Sequence, residues 1–284
     1  MTDDAEPKAM KVDLHSHTTC SDGRNSPAEL VRLAKAAGID VLAVTDHDVL
    51  DGIAPAAEEG RRVGVRVIPG VEMSSQFEGH DVHVLGIGID PSNGPLNDQL
   101  ESMRQARRVR VGKICEALAR QGLPLDPAAV LAEAGGKSVG RKHVARALVK
   151  GKFVPDEAMA FEWFLGDGQP AHVPSTEIPP SRTAGCIRRA GGLPILAHPH
   201  FFDDDALVRR ILDSALFAGI EAYHRYEKPG RHVAFLALAR QRNLLATGGS
   251  DYHGDDHPRN AGVGEFLTPP DQWAAIQQRL KVAL

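Results

Sequence analysis

The chain has 284 residues, 42% hydrophobic content and a formal net charge of −4, enough apolar sequence for one large domain or one domain with an insertion. That balance argues against a disordered chain and a general nucleic-acid binder. No apolar run approaches the ~20 residues needed to span a bilayer, and MTDDAEPKAM lacks a signal peptide's layout, so a cytoplasmic protein without membrane association is expected.

After a flexible N-terminus at 1–10, short β-branched runs bounded by Gly, Pro or Asp alternate with helical stretches. The expected strands are MKVDLH, IDVLAVT, VRVIPG, DVHVLGIG, LPILAH, GIEAY and NLLATG. Helices are expected at SPAELVRLAKAAG, where Ser26 caps and Pro27 opens the first turn, then at GIAPAAEEGRRVG, SRTAGCIRRAGG, DDALVRRILDSALFAG, VAFLALARQRN and PPDQWAAIQQRLKVAL. Such alternation predicts an α/β chain with a mostly parallel sheet or barrel. Residues 101–170 break the rhythm and read as a helical insertion between barrel segments 11–100 and 171–284. From Glu101 to Lys152, twelve Lys or Arg face four Asp or Glu, giving +8 and leaving −12 for the rest of the chain. In the insertion's first helix Met103, Ala106, Ile114, Ala117 and Leu118 share one face, and Arg107 and Arg110 fall inside the same arc. Those arginines either snorkel at the stripe edge or reach toward an anionic ligand between insertion and barrel.

Nearly every expected strand ends in groups able to bind metal or handle protons. The first leads to His15, His17 and Asp22, the second to Asp46 and His47, and the third to Glu72. The fourth contains His83, the fifth ends at His198, the sixth leads to His224, and the last to Asp251 and His253. In α/β barrels the C-terminal strand ends build the active site, so these groups would converge although distant in sequence. Each alone has an ordinary reading: a half-buried strand histidine, a helix cap, a strand-end carboxylate. Together, so many ionisable groups on one rim would be unfavourable without cations. Cys20, Cys115 and Cys186 are scattered and form no CxxC pair, which leaves the binding to nitrogen and oxygen.

The stretches DLHSHTTCSDG, VTDHD, GVEMSS, HVLGIG, LAHPH and GGSDYHG resemble, in order and over most of the chain, the polymerase and histidinol phosphatase (PHP) family of metal-dependent phosphoesterases. The resemblance implies a distorted (β/α)7 TIM-like barrel with a trinuclear centre. His15, His17, Glu72 and Asp251 would surround one ion, and Glu72 would bridge to a second held by His83 and His198. Asp22, His47 and His253 would hold the third. Two to three divalent ions are implied, Mn first, with Fe or Zn compatible with the same donors. Within the family the chain is most similar to the nucleoside 3',5'-bisphosphate phosphatases and short-RNA 5'–3' exoribonucleases, which carry a helical insertion here. GRKHVARALV resembles the segment whose arginine binds substrate phosphate, which would be Arg141.

Bridging divalent ions would generate a hydroxide near neutral pH to attack phosphorus. Arg141 and Arg107 would neutralise phosphate charge. His224 would protonate the leaving oxygen or bind a phosphate, and Asp46 would orient a neighbouring ligand. The stretch FEWFLGDGQPAHV departs from the subgroup: Trp163, Asp167, Gln169 and His172 stand where a cation and a tyrosine are more usual. Arg182 either replaces the lost cation or is a solvent-facing helix arginine, the simpler reading, and a substrate with a single phosphate stays open. The expected partner is a small phosphorylated nucleotide or a short oligonucleotide. Histidinol-phosphate and cyclic-phosphate chemistry are alternatives. Long nucleic acid is not expected, because 5% aromatic content offers few stacking platforms.

Overall fold

A computed structural model describes residues 9–135, 138–174, 178–225, 230–254 and 262–280. Most of the expected N-terminal tail, Gly136 and Lys137 of the expected insertion and the last four residues of the expected final helix lie outside them. Each expected strand is present: β1 (Val12–Asp13), β2 (Val41–Val44), β3 (Arg66–Phe77), β4 (His80–Ile87), β5 (Leu193–Leu196), β6 (Gly219–Tyr223) and β7 (Leu245–Gly248). They form one sheet in sequential order. The sheet curls back on itself where Leu14 N donates to Gly248 O at 3.3 Å and Ser16 bridges to Tyr252 in parallel.

The hydrophobic period of two sorts each strand. Val12, Leu14, Val41, Ala43, Ile68, Leu85, Ile87, Ile195 and Leu245 pool into one cluster, the barrel interior, joined by Trp273 and Ile276 of the last helix. The alternate positions face the surrounding helices: Leu42 and Val44 pack with Leu30, Val31 and Ala34 of the first helix, while Val71, Val84, Leu196 and Ile220 meet the others.

Helices α1 (Pro27–Ala36) and α2 (Ile53–Val63) fill the first two crossovers. The Ser26 side chain accepts from Glu29 N while Glu29 reaches back to Ser26 N at 2.7 Å, a closed capping box with Pro27 in the first turn. The rhythm then departs from strict strand–helix alternation. β3 continues past Glu72 and turns directly into β4 through Glu78 and Gly79, both at positive φ, so β4 lies antiparallel between β3 and β5. This reversal has a consequence for the site: the start of β4, with His83, lies at the rim where the parallel strands finish.

Helix α3 (Gly94–Arg120) begins seven residues before the expected insertion start, capped by Asn93. Its Leu96, Leu100 and Met103 belong to the barrel's helix layer, whereas Val111, Ile114 and Leu118 belong to a separate cluster. That cluster also takes in α4 (Pro127–Glu133), α5 (Arg141–Lys150), α6 (Glu157–Ala160) and the π-helical turn Phe161–Leu165. The expected boundary at residue 101 therefore falls inside one continuous helix shared by both cores. Helices α7 (Pro180–Arg189), α8 (Asp205–Asp213), α9 (Arg231–Gln241) and α10 (Pro270–Leu280) complete the barrel; α8 stops at Asp213, short of the expected Gly219. Among the described residues, no helix is long and apolar enough to cross a membrane.

Candidate metal centre

Alternation directs the central carboxylate. On β3, Ile68 faces the barrel interior, so Glu72, four residues on, faces it too; on β4 the same parity links Leu85 to His83. Buried Glu72 is then met by five imidazoles. Its Oε2 lies 3.2 Å from His15 Nε2, 3.1 Å from His17 Nε2 and 3.2 Å from His47 Nδ1; its Oε1 lies 2.8 Å from both His83 Nδ1 and His198 Nε2. Asp251 Oδ1 stands 3.4 Å from His15 Nε2 and 3.2 Å from His17 Nε2. Asp22 Oδ1 stands 3.2 Å from His253 Nε2, and its Oδ2 3.9 Å from His47 Nε2.

All nine residues expected as ligands thus come together. The donor atoms of eight of them fall into overlapping groups within 4.8 Å: His15, His17, Glu72 and Asp251; His17, Asp22, His47 and His253; and His47, Glu72 and His83; His198 joins through Glu72. His15, Glu221 and His224 make a further group.

The donor set fits divalent cations on chemical grounds. Asp22 Oδ1, His47 Nδ1 and His253 Nε2 are buried without a hydrogen-bond partner, although each points at other donors of the cluster. His15 Nε2 and His17 Nε2 approach to 3.1 Å, and both face Glu72 Oε2 and Asp251 Oδ1, so four donor atoms suited to a cation crowd one point. Burial opposes ionisation of Glu72, Asp22 and Asp251, yet neighbouring His47, His83 and His15 hold Glu72 well below the usual carboxylate range. His253 and Lys142 do the same for Asp22, and Arg225 and His253 for Asp251. Burial keeps His47 and His198 below their ordinary values and pushes His253 down to about 4, against the pull of the carboxylates around them. His17 behaves oppositely: against burial, Asp251 and Glu72 raise it to about 9. A proton and a divalent ion therefore compete for that nitrogen.

The supporting shell is polar and specific. Asp46 does not face the cluster's donors; its Oδ1 accepts from Thr18 N at 2.7 Å and Ser21 Oγ at 2.6 Å, and its Oδ2 from Thr18 Oγ1 at 2.7 Å. It fixes the turn that carries Asp22. Gly249 is required by close approach: a Cβ there would come within 2.3 Å of His15 Cβ. His198 and Asp251 hold positive φ values of 27° and 48°, conformations that cost ~1–3 kcal/mol each and are stored where the rim loops change direction.

His224 is buried beside the cluster, its Nε2 3.5 Å from Asp251 Oδ2. The insertion's arginines meet acids of the protein itself. Arg107 is turned toward the barrel, where its Nε donates to buried Asp48 Oδ2 at 2.6 Å. Arg141 donates to Asp167 Oδ1 at 2.9 Å and lies 3.5 Å from Asp81 Oδ2, which Arg110 also reaches at 3.2 Å. Asp81 is two residues from His83, so Arg141 and Arg110 flank that side of the centre. Arg182 is exposed on α7 and donates to Gln99 Oε1 of α3 at 3.0 Å, in keeping with a solvent-facing helix arginine.

Three residues with roles here escaped the sequence reading. Glu221 accepts from the His198 backbone N at 2.7 Å and pairs with His15 Nδ1 at 3.0 Å, fixing the main chain of one ligand and the ring of the other. Its signal was available, since Ile220 and Ala222 face the helix layer and leave an acid pointing into the barrel. Arg225 Nη2 donates to Asp251 Oδ2 at 3.0 Å, and Lys142 Nζ lies 3.8 Å from Asp22 Oδ2. Neither carries a recognisable local pattern.

A sequence profile of the PHP domain matches residues 13–133. The chain is 36% identical over 253 residues to "5'-3' exoribonuclease Rnm" of Escherichia coli (strain K12), covering 86% of each. It is 32% identical over 278 residues to "3',5'-nucleoside bisphosphate phosphatase" of Chromobacterium violaceum, covering 95% of this chain and 97% of the relative. A solved structure of an amidohydrolase from Chromobacterium violaceum with bound sulfate superposes with a TM-score of 0.85 at 31% identity, covering 95% of this chain and 96% of the other. Fold and site together define a metal-dependent phosphoesterase, a hydrolase of phosphoric esters. The chain belongs to the PHP family.

Proposed function

We propose that this phosphoesterase removes a phosphate from a small nucleotide, a nucleoside 3',5'-bisphosphate first and a nucleoside monophosphate second, using two to three divalent ions, manganese before iron or zinc. The observation that carries the reading is the meeting of five imidazoles on the two oxygens of Glu72, flanked by Asp22 and Asp251. His15, His17, Glu72 and Asp251 would hold one ion, His83 and His198 with Glu72 a second, and Asp22, His47 and His253 a third. Ions bound there supply a water of near-neutral pKa and a positive clamp for phosphoryl oxygens.

The chain's own residues do the rest. His224, next to Asp251 and on the side of His198, holds a proton for the leaving oxygen or binds a phosphate. Arg141, at the first turn of α5, and Arg110 meet the phosphate charge the ions do not reach, exchanging their contacts with Asp81 and Asp167 for substrate. Lys142 and Arg225 screen the carboxylates on the opposite side.

A second reading, 5'–3' removal of nucleotides from short RNA, is favoured by the 36% identity to Rnm. Metal-quantified protein assayed on adenosine 3',5'-bisphosphate, AMP, a short 5'-phosphorylated RNA, a cyclic phosphodiester and histidinol phosphate separates the two. The bisphosphate is expected to give the highest kcat/KM. A bisphosphate turned over no faster than AMP removes the bisphosphate reading, and RNA as the best substrate replaces it with the second.

A further inference from the structure

The insertion's basic character suggests that its arginines serve the ligand, yet Arg107 is engaged by the protein itself. Its Nε donates to Asp48 Oδ2 at 2.6 Å, its Nη2 to Ser74 Oγ at 2.7 Å and its Nη1 to Val139 O at 3.3 Å. Asp48 is fully buried and directly follows His47, in a left-handed conformation at φ 53°. Each polar atom of Asp48 has a task. Its N donates to Glu72 O at 3.0 Å, its Oδ1 accepts from Ser74 N at 2.9 Å, its Oδ2 also accepts from Ser74 Oγ at 2.9 Å, and its O accepts from Arg104 Nη1 at 3.1 Å. Ser74 pairs across the hairpin with His83. One carboxylate therefore joins the loop of His47, the strand of Glu72 and the register of His83, and one insertion side chain neutralises it.

We infer that Arg107 is a positioning residue for the metal centre: through Asp48 it fixes His47, so the helical insertion completes the ligand geometry of the barrel rim. A charge on a strained, buried residue next to a ligand holds one direction only while its counter-ion stays in place. The planar guanidinium suits the task because it spans Asp48, Ser74 and Val139 at once, which a single ammonium does not. The inference rests on the metal-centre reading and is independent of which phosphate ester is cleaved.

The test compares wild type with Arg107→Lys and with the double variant Arg107→Met/Asp48→Asn, which removes both charges together and so avoids the unpaired carboxylate that a single Arg107→Met leaves. Each protein is stripped with chelator, titrated with Mn²⁺, counted for retained ions and melted without metal. The weakest site is expected to lose about 10- to 100-fold in affinity in both variants, as loss of a group supporting a metal ligand does. kcat should fall in parallel while KM for a nucleotide moves less than about threefold. Metal-free melting temperatures should stay close to wild type. Unchanged metal affinity with a raised KM would return Arg107 to a substrate contact and overturn the inference; unchanged metal affinity with a lowered melting temperature would reduce it to a tie between domains. Should no nucleotide be hydrolysed by wild type, the proposed substrate fails and the metal titration still decides the role of Arg107.

Discussion

At the barrel rim, Glu72, Asp22 and Asp251 are buried among imidazoles whose nitrogens converge on the same few positions, an arrangement in which the protein's own groups leave charge for a cation to balance. In the insertion, Arg104, Arg107, Arg110 and Arg141 each meet an acid or a carbonyl already in place. A high local count of one charge type thus means different things in the two regions. Where like donors are forced together and buried, a ligand is needed; where cations alternate with acids, the fold satisfies them and lends only some to a substrate.

The largest effect should come from the group on which the rim depends. Glu72→Gln keeps size and hydrogen bonding but removes the negative charge shared by His15, His17, His47, His83 and His198. Loss of kcat/KM by about three orders of magnitude, ~4 kcal/mol of barrier, is expected. Fewer ions should remain per chain, measured by elemental analysis on folded protein. Full metal content with full turnover would break the contrast between rim and insertion.

The rim was readable in the sequence because barrel topology turns strand ends into a list: HSH, DHD, VEM, HVL, AHP and SDYH each place a donor where the sheet finishes. Two features blurred that reading. The hairpin turn at Glu78 and Gly79 makes β4 antiparallel, so His83 reaches the rim from the beginning of its strand. Glu221 lies inside a strand, where only the parity of Ile220 and Ala222 betrays it. The insertion was harder, because helical period places Arg107 on the inner face without saying what it meets there. Asp48 lies 59 residues away in sequence, and its burial follows from the His47 loop and β3 packing together. For Arg182 the same limit holds: a one-dimensional count of cations does not separate the outer layer of α7 from the mouth of the barrel.

A smaller effect tests the lending arginine. Arg141→Ala should raise KM for a nucleotide about tenfold, ~1.4 kcal/mol, and change KM for a small aryl phosphate far less. Steady-state kinetics on both substrates at matched metal content reads the difference. Equal changes would place Arg141 with the insertion's internal pairs.

The rim's opposing pKa shifts predict a dome of stability for metal-free protein. His17 is raised to about 9 by Asp251 and Glu72 against burial, so its contribution is complete below its unfolded value of about 6.5 and is lost as pH rises through about 9. His253, lowered to about 4 by burial, acts in the other sense: stability falls as pH drops from about 6.5 toward 4. The lowered carboxylates add to that acid limb as they protonate. Melts of chelator-treated protein should peak near neutrality, declining a few degrees on either side at ~2–4 °C per kcal/mol. Added Mn²⁺ should remove the alkaline decline, because an ion replaces the proton on His17. A metal-free profile flat from pH 6 to 9.5 would mean that the imidazoles are not held as the geometry places them.

The smallest effect is expected on the outer helix layer. Arg182 is exposed and donates to half-buried Gln99, a contact that water can replace. Arg182→Ala should change kcat/KM less than about twofold and stability within ~0.5 kcal/mol. Measured on the bisphosphate and the monophosphate alike, such indifference would separate the outer helix layer from the charged mouth formed by Arg110, Arg141 and Asp81. A selective loss on the bisphosphate would instead require α7 to approach the ligand, and the cation missing from the Trp163–His172 stretch would then be supplied from the barrel side of the cleft rather than from the insertion.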